Sequence, residues 1–228
     1  MEQLCGMDPW LTPLHRSFKQ HADPMNATAM AAYMKGHFPY FGIKTPERRA
    51  LMKEHMGIYG VPALNDLPAI VRKAFAYPER EMHQVGVDLL IKFAKILGPD
   101  HLPFVEEVIT TKSWWDSVDT LAVHVAGAIL KRNPKEITKW NRRWIESGNM
   151  WLNRTAIIFQ LQWKIETDQG LLFANIERHA THPDFFIRKA IGWALRSLGG
   201  TDPSAVLAFV RSRKLSPLSE REATRKLK

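Results

Sequence analysis

Three observations predict an all-α protein, an open α-solenoid of antiparallel helix pairs. Apolar residues recur at helical rather than alternating spacing along nearly all of the 228 residues. The punctuation consists of helix starts. The turns between the implied helices span only a few residues, which forces neighbouring helices to run antiparallel. A compact helical bundle is the other arrangement compatible with this pattern. No stretch reads as a strand, and identity between the helix pairs is too low to show a repeat in the text alone.

Taken in order, Thr45-Pro46-Glu47 reads as an N-cap followed by proline at the first helical position. Similar starts lie at Asp66, Pro78-Glu79, Pro99-Asp100, Ser113, Asn133-Pro134, Asp168, Pro183-Asp184, Asp202-Pro203 and Ser216-Pro217. They predict helices over 79–97, 101–110, 114–132, 135–147, 150–163, 169–179, 184–198, 203–212 and 217–227. No linker, low-complexity tract or composition break divides the chain, so residues 1–228 are expected to form a single domain.

An apolar content of 45% with 10% aromatics is ample for a core and argues against global disorder. The net charge of +9 directs attention to anionic partners, nucleic acid or a membrane surface. The excess is concentrated in the second half. From Trp115 onward there are 19 basic and 11 acidic residues, against 13 and 12 before it. One cysteine, Cys5, excludes an internal disulfide framework and any multi-cysteine metal site, and it is read as a spectator. His179 and His182 have metal-ligand spacing but no evident further ligand, so neither metal nor cofactor is expected. The N-terminus lacks an apolar signal core and the longest mostly apolar stretch, "LAVHVAGAIL", is too short to span a bilayer. A cytoplasmic protein, nucleoid-associated when bound to DNA, is expected; with no clear oligomer interface, the default is a monomer.

The stretch "TKSWWDSVD" at 111–119 puts two tryptophans among two carboxylates. On a helix over 114–132, Val118, Leu121, Ala122, Val125 and Ile129 form one continuous core stripe, which Trp114 joins. Asp116 points away from it, and Ser113-x-x-Asp116 resembles a capping box. Trp115 and Asp119 are left, stacked at i and i+4 and able to face one volume; the plainer alternative is rim packing beside a solvated acid.

Two further helices carry anomalies. On 184–198, Ile187, Ile191, Ala194 and Leu198 make one stripe, while Lys189, Trp193 and Arg196 make another roughly 200° away. An aromatic between two cations suits nucleic acid, because the cations neutralise phosphates while the ring offers apolar surface to sugar or base. On 150–163, Arg154 shares a side with Met150, Ile157 and Leu161. A guanidinium there is costly unless paired. It either snorkels or reaches a carboxylate or phosphate, and Asp119 is the partner expected.

At these residues the sequence resembles the bacterial DNA alkylation repair proteins of the AlkD type, alkylpurine DNA glycosylases built from HEAT-like repeats. The likeness spans roughly residues 26–225 and rests on five segments: "YMKGHF" with "GIKTPERR" at 33–49, "TKSWWDSVD" at 111–119, "NRTAIIFQL" at 153–161, "FFIRKAIGWALR" at 185–196 and "LSPLSEREA" at 215–223. The N-terminal dozen residues match no motif. The resemblance implies a C-shaped solenoid gripping duplex DNA in a concave basic groove. It implies that Asp119, Trp115 and Trp193 form the catalytic cleft, that Arg154 supports it or contacts the DNA backbone, and that Tyr33 and Arg196 lie on the DNA-facing surface. Lys189 joins them from its helical face. The implied reaction is hydrolysis of the N-glycosidic bond of cationic N3- or N7-alkylated purines, such as 3-methyladenine and 7-methylguanine, leaving an abasic site without burying the base in a pocket. A non-catalytic binder of distorted DNA and a protein-interaction scaffold are the competing readings.

Overall fold

A computed structural model describes residues 8–225 and 227; Cys5 lies outside the described residues. They are all-helical, with no strand among them, consistent with an α-solenoid. The chain divides into two compact units, Met1–Phe93 and Ala94–Lys228.

The first unit holds α1 (Leu11–Gln20), α2 (Pro24–Tyr33), α3 (Thr45–Tyr59), α4 (Leu67–Ala76) and α5 (Arg80–Phe93). Helix α1 buries Leu11, Leu14 and Phe18, a spacing that keeps one face apolar, and α4 buries Leu67, Ile70, Val71 and Ala74 in the same manner. The loop into α3 is fixed by a buried acid. Glu81 accepts hydrogen bonds from the backbone N–H groups of Gly42 (2.9 Å), Ile43 (3.1 Å) and Phe41 (3.1 Å). Gly42 has φ of +94°, and a Cβ there would stand 2.1 Å from the Asp23 carbonyl oxygen, so the turn admits only glycine. Arg48 on α3 pairs with Asp88 on α5 at 2.5 Å. The segment at 33–49 thus owes much of its pattern to this local fold.

The second unit runs α6 (Leu102–Thr110), α7 (Trp115–Leu121), a π-helical turn at Ala122–Ala126, α8 (Gly127–Arg132), α9 (Ile137–Ile145), α10 (Met150–Ile158), α11 (Gln169–His179), α12 (Phe185–Leu198), α13 (Pro203–Ser212) and α14 (Pro217–Thr224). The expected elements are present with ends shifted by a few residues, and the expected 150–163 helix stops at Ile158. Asp168, Asp184, Asp202 and Ser216 each accept backbone N–H bonds as true N-caps. Thr45 does not, since it already lies inside α3 behind Lys44.

Asparagines act at two further helix ends. Asn149 caps α10 through the N–H groups of Trp151 and Leu152. Asn153 donates to the carbonyls of Trp144, Ile145 and Ser147, satisfying the C-terminal end of α9. Asn141 and Asn175 exchange reciprocal amide bonds of 3.0 and 2.7 Å between α9 and α11. Arg154, the next residue after Asn153, is thereby held on a helix anchored at its start and along its flank.

Candidate functional site

Three helices of the second unit converge on one guanidinium. Arg154 on α10 donates from Nε to Asp119 Oδ1 at 2.6 Å and from Nη2 to Asp119 Oδ2 at 2.8 Å. Its Nη1 donates to the carbonyl oxygen of Phe186, in the first turn of α12. The arginine is 4% exposed, with all three nitrogens committed, whereas the Asp119 side chain keeps 15% of its surface open. Of about four lone-pair sites on a carboxylate the fork takes two. Two remain for a water or a cation. The expected Arg154–Asp119 pair is therefore formed, and snorkelling is not how this arginine is accommodated.

Burial pushes the carboxyl of Asp119 above the ordinary aspartate range; the Arg154 guanidinium opposes this, and the nearby charge of Asp116 adds to the rise. The site therefore carries a desolvated acid at the edge of solvent, with its anionic form sustained by one permanently charged partner.

The core stripe of α7 and its continuation is as the spacing predicts: Val118, Leu121, Ala122, Val125 and Ile129 are all fully buried. Trp114 and the capping box depart from expectation. Trp114 has extended backbone (φ −152°, ψ 160°) and stands just before the helix, so the helical period does not govern its side chain. Instead of joining the stripe it packs edge-on against Trp151 (5.0–5.8 Å spacings within this group) and Phe186. Trp151 also meets Phe186 at 5.1 Å. This aromatic cluster sits against the helices that carry Arg154 and its Phe186 acceptor. Ser113 cannot cap α7, because its hydroxyl donates back to the Ile109 carbonyl at 2.7 Å and no side-chain cap bond is formed at that end. Asp116 remains in the first turn, where the helix dipole favours an acid.

Trp115 opens α7 one turn before Asp119 and is half-buried. Trp193 is half-buried on α12, seven residues after Phe186 and so on the same helical face about 10 Å along the axis. The buried stripe Ile187, Ile191, Ala194 and Leu198 is as expected. The opposite side is not bare, because α14 packs there. Glu222 receives Lys189 Nζ at 3.0 Å and Arg196 Nη1 at 2.6 Å, so the two cations flanking Trp193 share one carboxylate. Tyr33, at the end of α2 in the first unit, is 71% exposed.

Sequence reasoning missed Glu222, the Phe186 carbonyl and Trp151. The first had a usable signal, an acid in the quoted segment "LSPLSEREA" of the more basic half of the chain; a backbone acceptor leaves none. Among the described residues no group of His, Cys, Asp and Glu side chains is arranged to hold a metal, and no helix is long and apolar enough to cross a membrane. His179 Nε2 lies 3.2 Å from the Ile145 carbonyl oxygen, a structural bond.

Residues 14–227 match the family of DNA alkylation repair enzymes. A solved structure described as a predicted DNA alkylation repair enzyme from Enterococcus faecalis is similar with a TM-score of 0.85 and 32% identity, over 90% of this chain and 96% of that one. No curated protein matches. With that match running through both units and across the Asp119–Arg154 site, the chain belongs to the DNA alkylation repair enzyme family.

Proposed function

We propose that this protein is a monofunctional DNA glycosylase that hydrolyses the N-glycosidic bond of cationic N3- or N7-alkylated purines, 3-methyladenine and 7-methylguanine among them, in duplex DNA. The observation that carries the reading is the fork of Arg154 on Asp119, which fixes a carboxylate at the edge of solvent while leaving two of its acceptor sites unused.

An alkylated purine is already cationic and leaves without strong acid assistance. The demand moves to the positive charge that spreads over the deoxyribose as the bond to the base lengthens. A preorganised carboxylate meets that charge without reorganising at the moment of reaction. The adjacent guanidinium does not cancel this effect, since a cation at the open edge of Asp119 lies nearer the carboxylate than the arginine behind it. The second open acceptor site orients the attacking water and accepts its proton, a contribution of about 10²- to 10⁴-fold.

Arg154 acts in this scheme as a positioning residue. To reach a phosphate it must give up a bond to Asp119 or to the Phe186 carbonyl, and its burial opposes that exchange. Trp115 and Trp193 border the sugar–phosphate backbone beside the lesion, where indole faces favour a developing cation. Lys189, Arg196 and Tyr33 contribute DNA contacts, and the product is an abasic site, formed without a base-binding pocket and without metal or cofactor.

Release of free 7-methylguanine from methylated duplex tests the reading. The wild type releases base and Asp119→Asn releases it at least 10²-fold more slowly, by the contribution just given. Equal release by the two proteins, or none from either, overturns the assignment.

A further inference from the structure

Two cations and one acid surround Trp193, and their geometry is more specific than neutralisation requires. Arg196 turns Nη1 to Glu222, bonding both the side-chain Oε2 at 2.6 Å and the backbone carbonyl at 3.1 Å. Its Nε and Nη2, the edge with two parallel N–H donors, have no protein partner among the described residues. Lys189 spends one of three Nζ protons on Glu222 Oε1 at 3.0 Å. Five N–H donors from two cations thus stay available around a single anchoring carboxylate.

That carboxylate is itself fixed. Gly192 sits one residue before Trp193, and a Cβ there would stand 2.4 Å from Glu222 Cβ and 2.9 Å from the Ser219 carbonyl oxygen, so its lack of a side chain is what lets α14 lie against α12. The Ser219 hydroxyl ties the two helices by donating to the Arg188 carbonyl at 3.0 Å. The Ser216 cap sets the start of α14. Lys189 and then Arg196 hold the Glu222 carboxyl below the usual glutamate range, so it stays charged at neutral pH.

We propose that Glu222 is a positioning residue that sets the free edge of Arg196 and the ammonium of Lys189 as one fork for a single DNA phosphate beside Trp193. The proposal rests on duplex DNA being the substrate. The bare alternative is that Glu222 only screens the two cations. Orientation and screening predict opposite responses. A screen, once removed, leaves an extra positive charge and tighter binding; an organiser, once removed or shortened, loses a phosphate contact.

The experiment measures binding of an undamaged duplex over a salt series, with melting temperature as the check on folding. Glu222→Asp keeps the charge and shortens the reach. It should weaken binding several-fold and make the log–log salt slope shallower by about 0.9, the increment for one lost phosphate contact. Arg196→Lys, which keeps charge but removes the free two-donor edge, should do the same, and it decides the matter if the Asp variant does not fold. Unchanged affinity and slope in these variants, or tighter binding with a steeper slope in Glu222→Gln, overturns the role of Glu222. A wild type that does not bind duplex sinks the DNA reading itself, and the readout needs no base release.

Discussion

Asp119 and Arg154 meet edge to edge, each carboxylate oxygen taking one N–H of the same guanidinium at 2.6 and 2.8 Å. This geometry belongs to arginine alone, because lysine offers a single ammonium point that cannot present two parallel donors. Arg154→Lys retains the charge and frees the carboxylate to rotate. Given that a misplacement of about 1 Å can cost 10²-fold, single-turnover excision of 7-methylguanine should fall by about 10²-fold. Melting temperature should fall as well, since the Phe186 carbonyl and half of Asp119 lose their donors. Wild-type excision in the folded variant would remove Arg154 from the mechanism.

If Asp119 acts as proposed, its burial sets the acid limb of the excision rate. The proposed reaction uses the anion, and desolvation raises the carboxyl above the ordinary aspartate value despite the pull of Arg154. Activity should therefore be lost, as pH falls, at a higher pH than a solvated aspartate would give. The single-turnover rate, corrected for spontaneous depurination, should show that limb in the wild type. Residual activity of Asp119→Asn should lack it. A limb at or below the ordinary aspartate value would mean that another group carries it.

The helices and the core were readable because they follow from period and punctuation: three aspartates and one serine among the marked starts do cap their helices, and the stripe from Val118 to Ile129 is wholly buried. Pairing of Arg154 with Asp119 was readable from cost, since a guanidinium on an apolar side needs a partner. Trp114 was misread because one residue of extended backbone takes a side chain off the helical wheel. The packing of α14 beside the stripe of Lys189, Trp193 and Arg196 was not readable, because helical period says which side of a helix is polar, not which later helix covers it. Glu222, 26 residues beyond Arg196, is such a long-range answer.

Glu81 holds the loop ahead of α3 by accepting three backbone N–H bonds while only 1% exposed. Glu81→Leu keeps the volume near constant and strands those donors. Each unsatisfied buried donor costs about 1–3 kcal/mol, partly offset by removing a buried charge, so a net loss of about 3 kcal/mol is expected in urea unfolding. Excision by the protein that remains folded should stay near wild type, because Glu81 belongs to the other unit from Asp119. A stability change under about 0.5 kcal/mol, the range of ordinary surface substitutions, would show the loop to be held by something else.

Gly127 sets two effects against each other. Alanine is the better helix former by about 1 kcal/mol, so at an exposed position in α8 the exchange would stabilise. At this position, however, a Cβ would stand 2.1 Å from the carbonyl oxygen of Phe159, a backbone atom just past the end of α10. Relief requires the chain after α10 or the turn at Ala122–Ala126 to move, and such overpacking costs about 1–3 kcal/mol. The backbone clash falls at the upper end of that cost, and Gly127→Ala should be less stable than wild type by up to about 2 kcal/mol. Because α10 also carries Arg154, the displacement should pass to the Asp119 pair and slow excision even at temperatures where the variant is fully folded. Higher stability with unchanged excision would show that the helices separate there without cost.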